Sequence, residues 1–184
     1  MSPFLRVSDP HALTVSMTGV KLGERLAQIG CAHGGRLGAV AAKVGLSGRA
    51  VAIVPDEASA ARASRGAADA GVLVEVETAS LTRLPVENDG FDVVVVDDTG
   101  TRLSAMQASE RAATVREVFR ILRSGGRVII IARGAPTGVA AWLRRAPGLP
   151  PPDAVPELQT AGFKAVRTLA ERDGLTFTEG IKPR

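Results

Sequence analysis

The stretch from Glu24 to Asp56 limits what this chain can fold into more than any other part of it. Leu26–Ile29 is a short apolar run, and Gly30-Cys31-Ala32-His33-Gly34-Gly35 is a sharp turn. Leu37, Val40, Ala41 and Val44 then recur at helical spacing until Gly45 and Gly48 stop them. Ala50–Val54 is a second apolar run. Strand, glycine turn, helix and strand make one βαβ unit, whose crossover should be right-handed. Open parallel sheets bind nucleotides at such a first turn, because the helix start offers free N–H groups and a positive dipole end.

The rest of the chain repeats the alternation. Asp9-Pro10 starts a lead-in helix carrying Leu13, Val15 and Met17 and ended by Gly19, a cover for the sheet edge or the cleft. After the βαβ unit come an Ala-rich helix over Glu57–Ala70, a third strand at Val72–Val76, and a fourth at Phe91–Val96. The fourth is apolar on both faces apart from Asp92, as a central parallel strand should be. Asp97-Asp98-Thr99-Gly100 is read as the loop beyond it. A helix over Ala108–Arg123, a turn at Ser124-Gly125-Gly126 and a fifth strand at Arg127–Ala132 follow. Gly134–Arg145 carries the single Trp142 on a short helix, and five prolines between Pro147 and Pro156 make a stiff connector. Asp153 caps a last helix through Ala161. Phe163–Leu169 and Leu175–Ile181 are strands joined by the hairpin signal Glu171-Arg172-Asp173-Gly174. About seven strands and five or six helices give an α/β three-layer sandwich over residues 1–184 as one domain, with residues 1–20 as lead-in and 133–157 as connector.

Composition narrows the function classes. A chain of 184 residues buries enough surface to need no staples. The net charge of +4 is spread as scattered arginines among 19 acids, and aromatics are 3%, so neither a nucleic-acid groove nor a base-stacking platform is expected. Cys31 is the only cysteine, which excludes an internal disulfide, and with His11 and His33 it makes no zinc spacing. No apolar run approaches the ~20 residues of a membrane span, and the first residues lack a signal-peptide pattern, so the cytoplasm is expected.

Several motifs in order resemble class I S-adenosylmethionine (SAM)-dependent methyltransferases, chiefly the small-molecule group with a methyltransferase domain, over roughly residues 19–181. They are Gly19-Val20-Lys21-Leu22-Gly23-Glu24-Arg25 before the first strand, Gly30-Cys31 opening the glycine loop, and Leu84-Pro85 followed by Asp89-Gly90-Phe91-Asp92-Val93-Val94 at strand four. Glu117–Arg127 then matches the helix and Gly-Gly turn before strand five, and Ala161-Gly162-Phe163 the entry to the hairpin. The resemblance implies a Rossmann-like class I methyltransferase sandwich, mostly parallel with a C-terminal antiparallel hairpin. It places the cofactor against Gln28, Gly30, Cys31, Ala32, His33, Gly34, Val54, Asp56, Ser80, Leu81 and Asp97. It implies SAM as cofactor, no metal, and an acceptor or protein partner that the residues do not identify.

The departures from the family pattern bear on function. The family has an acid before the glycine loop, where this chain has Gln28, and a glycine where it has Ala32. It has a ribose-binding acid where this chain has Val54, and an adenine-contacting acid where it has Ser80. A carboxylate on two ribose hydroxyls makes charge-assisted bonds worth roughly 1.5–3 kcal/mol each, so losing it predicts about 10²–10⁴-fold weaker binding. A methyl at Ala32 adds strain if that residue sits at positive φ. Asp56, two residues beyond Val54 and on the same side of an extended chain, is the one rescue, as against a helix-capping role.

Other candidates compete with structural roles. Asp97 and Asp98 offer a general base or metal grip, or loop capping by Asp98 with Thr99. Cys31 is expected to pack beneath the loop. His33 and Trp142 are expected to fill structural places more than to touch an acceptor, and Ser16, His33 and Asp97 make no nucleophilic triad. Direct methyl displacement needs few catalytic groups, so the lack of a catalytic motif excludes nothing. Three functions follow: a methyltransferase-like protein with weakened or lost SAM binding; an active small-molecule methyltransferase using Asp56; and, least favoured, an NAD(P)-dependent oxidoreductase, whose G-x-G-x-x-G and ribose acid are lacking.

Overall fold

The computed structural model describes residues 10–134 and 154–184. The elements run α1 (Ala12–Thr18), β1 (Arg25–Ile29), α2 (Gly34–Ala41), β2 (Arg49–Val54), α3 (Glu57–Asp69), β3 (Glu75–Thr78), β4 (Phe91–Asp98), α4 (Ala108–Ile121) and β5 (Leu122–Arg133). They end with α5 (Ala154–Thr160), β6 (Lys164–Arg172) and β7 (Leu175–Ile181). One seven-stranded sheet has the order β3-β2-β1-β4-β5-β7-β6. Only β7 runs against its neighbours. This is the mostly parallel α/β sheet with a terminal hairpin that the sequence implies.

The central strands are sealed because they are apolar on both faces. Leu26, Ala27 and Ile29 of β1 and Val93, Val94 and Val95 of β4 are all buried. One face packs with Val118, Ile121, Leu158 and Phe163. The other packs with Val40, Val44 and Phe177, and Leu13, Val15 and Met17 of α1 lie against it. The lead-in helix therefore covers a sheet face. It ends at Gly19, in the left-handed region at φ 58°, where its amide donates to the Val15 carbonyl.

Helices α2 and α3 meet through glycine. A Cβ on Gly66 would lie 2.1 Å from the Gly34 carbonyl oxygen, and one on Gly38 would lie 2.4 Å from the Gly66 carbonyl oxygen. Their backbones touch directly, and this contact holds the start of α2 in place.

Several boundaries differ from the sequence reading. The third strand is Glu75–Thr78, because its ladder to β2 begins at Val51↔Glu75; Val72 and Val74 pack half-buried without joining it. The fourth strand continues through Asp97 and Asp98, which pair with Ile131 and Ala132. Helix α4 ends at Ile121, where Leu122 turns extended at ψ 137°. Ser124-Gly125-Gly126 is not a free turn. It forms the irregular stretch of β5 between Phe91↔Leu122 and Val93↔Arg127. The hairpin strands pair as far as Arg172↔Leu175, leaving only Asp173 and Gly174 at the turn, both at positive φ (54° and 72°), as a two-residue turn demands. The helix expected around Trp142, Asp9, Asp153 and most of the proline-rich connector lie outside the described residues.

Candidate functional site at the β1–β4 crevice

The sheet order reverses between β1 and β4, since β2 and β3 lie beyond β1 while β5 lies beyond β4. Open α/β sheets bind ligands outside the carboxyl ends of the strands at such a reversal. The glycine loop and the end of β4 meet there.

Gly30 needs glycine for its conformation: its φ is 77°, and a Cβ would lie 3.1 Å from the Asp97 carbonyl oxygen. Gln28 is buried, and its side-chain amide donates to the Gly30 carbonyl at 3.1 Å. It ties the loop to its own strand. Ala32 is not at positive φ, so the strain expected of its methyl group does not arise. The methyl instead faces the loop after β4, where a Cβ on Gly100 would come within 3.2 Å of it.

Asp97 ties the two sides of the crevice together. Its side chain is fully buried and takes the backbone N–H of Ala32 at 3.0 Å, Arg36 Nη1 at 2.9 Å and the Thr99 hydroxyl at 2.7 Å. Arg36, in the first turn of α2, also donates to Thr99 Oγ1 at 2.8 Å. Its Nε is the one buried side-chain polar atom without a partner among the described residues. Arg62 of α3 donates to the Cys31 carbonyl at 2.8 Å, and Arg133 donates to the Thr99 carbonyl at 2.8 Å. Charged groups thus fasten the two loops to each other.

Asp98 points the other way, as successive strand residues must. It accepts from the Leu103 N–H at 2.7 Å and from the Ser104 amide and hydroxyl. Burial raises its carboxyl above the ordinary carboxylate range, against the lowering effect of these bonds. It caps the turn after β4 rather than pairing with Asp97 on one site.

Val54 has no exposed surface and packs with Cys31, Leu37, Ala52 and Ala63. Cys31 sits beneath the loop as expected, and burial, followed by the nearby Asp97 charge, raises its thiol to about 11. Asp56 is the N-cap of α3: one oxygen accepts from the Ser59 amide at 2.8 Å, and the other pairs with Arg102. These bonds to Ser59 hold its carboxyl below the usual range. Both oxygens are therefore engaged.

Gly34 packs against Gly66, and His33 stands as the N-cap of α2 in an extended conformation without a side-chain capping bond. Its ring meets that of His11 edge to face, with centroids 5.2 Å apart, which sets the start of α1 beside the glycine loop. The Ser80 hydroxyl is exposed and bonded to Thr82 Oγ1 at 2.8 Å. Leu81 is buried and, with Pro55, Gly100, Arg102, Met106 and Glu110, lines a shallow hollow of about 380 Å³ beyond the ends of β2 and β4. Among the described residues no group of three His, Cys, Asp or Glu side chains is placed to hold a metal ion, and no helix is long and apolar enough to cross a membrane.

The structure brings Gly30, Ala32, Gly34 and Asp97 to one place, with Val54 packed beneath the same loop against Cys31, while the Ser80 hydroxyl is exposed and turned to Thr82. Sequence reasoning did not single out Arg36, Arg62 or Arg102. Their signal was weak: three arginines in a chain with 23 basic residues, none in a motif.

The sheet order, terminal hairpin and glycine loop define the class I methyltransferase architecture. The family model of the methyltransferase domain matches residues 27–126, and the chain belongs to that family. Among solved structures, it is similar to a SAM-dependent methyltransferase from Aquifex aeolicus (18% identity, TM-score 0.72, covering 94% of this chain and 89% of that one). It is also similar to a putative methyltransferase from Bacillus halodurans (15%, TM-score 0.70, 95% and 99%). The [4+2]-cyclase SpnF shares the fold as well (16%, TM-score 0.66, 94% and 79%). At these identities the likeness establishes the fold. No curated protein matches the sequence.

Proposed function

We propose that this protein is a methyltransferase-domain protein whose SAM site is weakened or lost, and that it acts through binding more than through methyl transfer. The carrying observation is Asp97, whose buried carboxylate takes the Ala32 N–H and Arg36 in the crevice where the fold would receive a ligand. A ligand that engaged Asp97 would have to displace an ion pair and three further hydrogen bonds already made.

The residues present do not fit SAM in two further ways. Val54 supplies no carboxylate for ribose hydroxyls and lies sealed among apolar side chains. Asp56, the rescue that an active enzyme would use, is committed to Ser59 and Arg102. No step of methyl transfer is therefore assigned to a residue.

The test is nuclear magnetic resonance. The backbone amide signals of Gly30, Ala32 and Gly34 are followed while S-adenosylhomocysteine is added. The reading predicts no saturable change; movement of the Ala32 amide at micromolar ligand would contradict it.

A further inference from the structure

The three large apolar side chains most exposed among the described residues are Leu22 (76%), Leu46 (95%) and Leu73 (84%). Each lies in the loop that precedes one of β1, β2 and β3. These strands are neighbours in the sheet, so the leucines share its amino edge, opposite the β1–β4 crevice. They are contiguous. A Cβ on Gly45, next to Leu46, would lie 2.4 Å from Leu22 Cδ1. Leu46 and Leu73 line one groove of about 510 Å³, with Val44, Val72 and Val74 in its walls. Exposed leucines gathered at one edge mark an interaction surface far better than leucines scattered singly.

We infer that this edge docks an acidic amphipathic helix of a partner protein. The length fits: three adjacent strands span two inter-strand steps, about 9.6 Å, and seven residues of helix rise about 10.5 Å, so side chains at i, i+3 or i+4, and i+7 reach all three leucines. The charge fits as well. Lys21 adjoins Leu22, and Lys43 lies between the groove residues Ala42 and Val44; both lysines are exposed. Three acids of this edge are already taken: Glu24 by the Lys21 amide and Arg127, Glu75 by Arg49, and Glu87 by Arg25 and Arg49. Against the exposed Asp69 at the end of α3, the two lysines leave net positive charge to face a partner. A second copy seated by a two-fold axis would set these lysines against their own equivalents, so acidic flanks on a different chain suit the edge better.

The experiment uses the full chain and a fluorescein-labelled synthetic helix with leucines at i, i+3, i+4 and i+7 and glutamates on both flanks, read by anisotropy. Saturable binding is expected, weakened at least about tenfold by Leu46→Asp with Leu73→Asp. Lys43→Glu should weaken the glutamate-flanked helix and strengthen a lysine-flanked one. The two leucines are exposed, so unchanged melting curves are expected to confirm folded variants. Absence of saturable binding, equal binding of the two flank types, or a wild-type dimer in sedimentation that Leu46→Asp disperses would each overturn the inference. Since the edge lies away from the crevice, a result on SAM binding in either direction leaves it standing.

Discussion

Asp97 Oδ1 and Arg36 Nη1 stand 2.9 Å apart, the carboxylate fully buried and the guanidinium nearly so, and they join the end of β4 to the first turn of α2. A buried pair contributes modestly as a whole but strongly resists the loss of one partner, which leaves an uncompensated charge. Asp97→Ala should therefore lower unfolding free energy by about 3–5 kcal/mol in urea titrations. Arg36→Met combined with Asp97→Asn, whose amide oxygen still accepts from the Ala32 N–H, should recover part of that loss. A double variant as unstable as Asp97→Ala would show that the pair is not what holds the two loops.

The glycine contact between α2 and α3 yields a second expectation. A Cβ on Gly66 would meet backbone at 2.1 Å, and backbone cannot swing aside. Gly66→Ala should cost about 1–3 kcal/mol, read as a lower midpoint in thermal melts. Gly100→Ala, whose Cβ would meet the Ala32 methyl at 3.2 Å, should cost clearly less.

Cys31 is buried and its thiol is raised to about 11. At pH 8 only about one molecule in a thousand carries the thiolate. The folded protein should therefore resist iodoacetamide at pH 8, while protein unfolded in urea should react at the ordinary rate. Rapid labelling of the folded chain would place Cys31 outside the packed layer beneath the glycine loop.

Acid sensitivity should follow Glu117. Its bonds from Arg120 and from the Leu84 amide hold its carboxyl below the usual range. A carboxyl lowered by folding stabilises the native state above its unfolded value and loses that effect as pH falls through the folded one. Asp98, raised by burial, works in the opposite sense: its contribution is present at low pH and fades as pH rises. Glu117→Gln should flatten the fall in stability below about pH 4.5, and Asp98→Asn should lower sensitivity above about pH 4, both measured by urea midpoints across pH.

The architecture was legible because its signals are periodic. Alternating apolar runs and helical stripes from Leu26 to Val54 and from Phe91 to Leu122 place β1, α2, β2, β4 and α4 to within a few residues. Boundaries set by ladder register were not legible: β3 begins at Glu75 because Val51 is its partner, a fact held in another strand. The site was half legible. Glycine spacing located the loop, and position 54 carries an apolar residue in the sequence and lies buried in the structure. The bonding of Asp97 to Ala32 spans 65 residues of chain, and that of Arg102 to Asp56 spans 46. Such pairings arise only when the sheet brings two loops together, so neither appears in any local pattern.

The central claim is that the crevice between β1 and β4 receives an adenosyl ligand only weakly or not at all. Calorimetric titration of the wild-type chain with S-adenosylmethionine tests it most directly. The account predicts a dissociation constant no tighter than about 0.1 mM, in keeping with the loss of about 10²–10⁴ in affinity. A one-to-one isotherm with a dissociation constant of a few micromolar would contradict it.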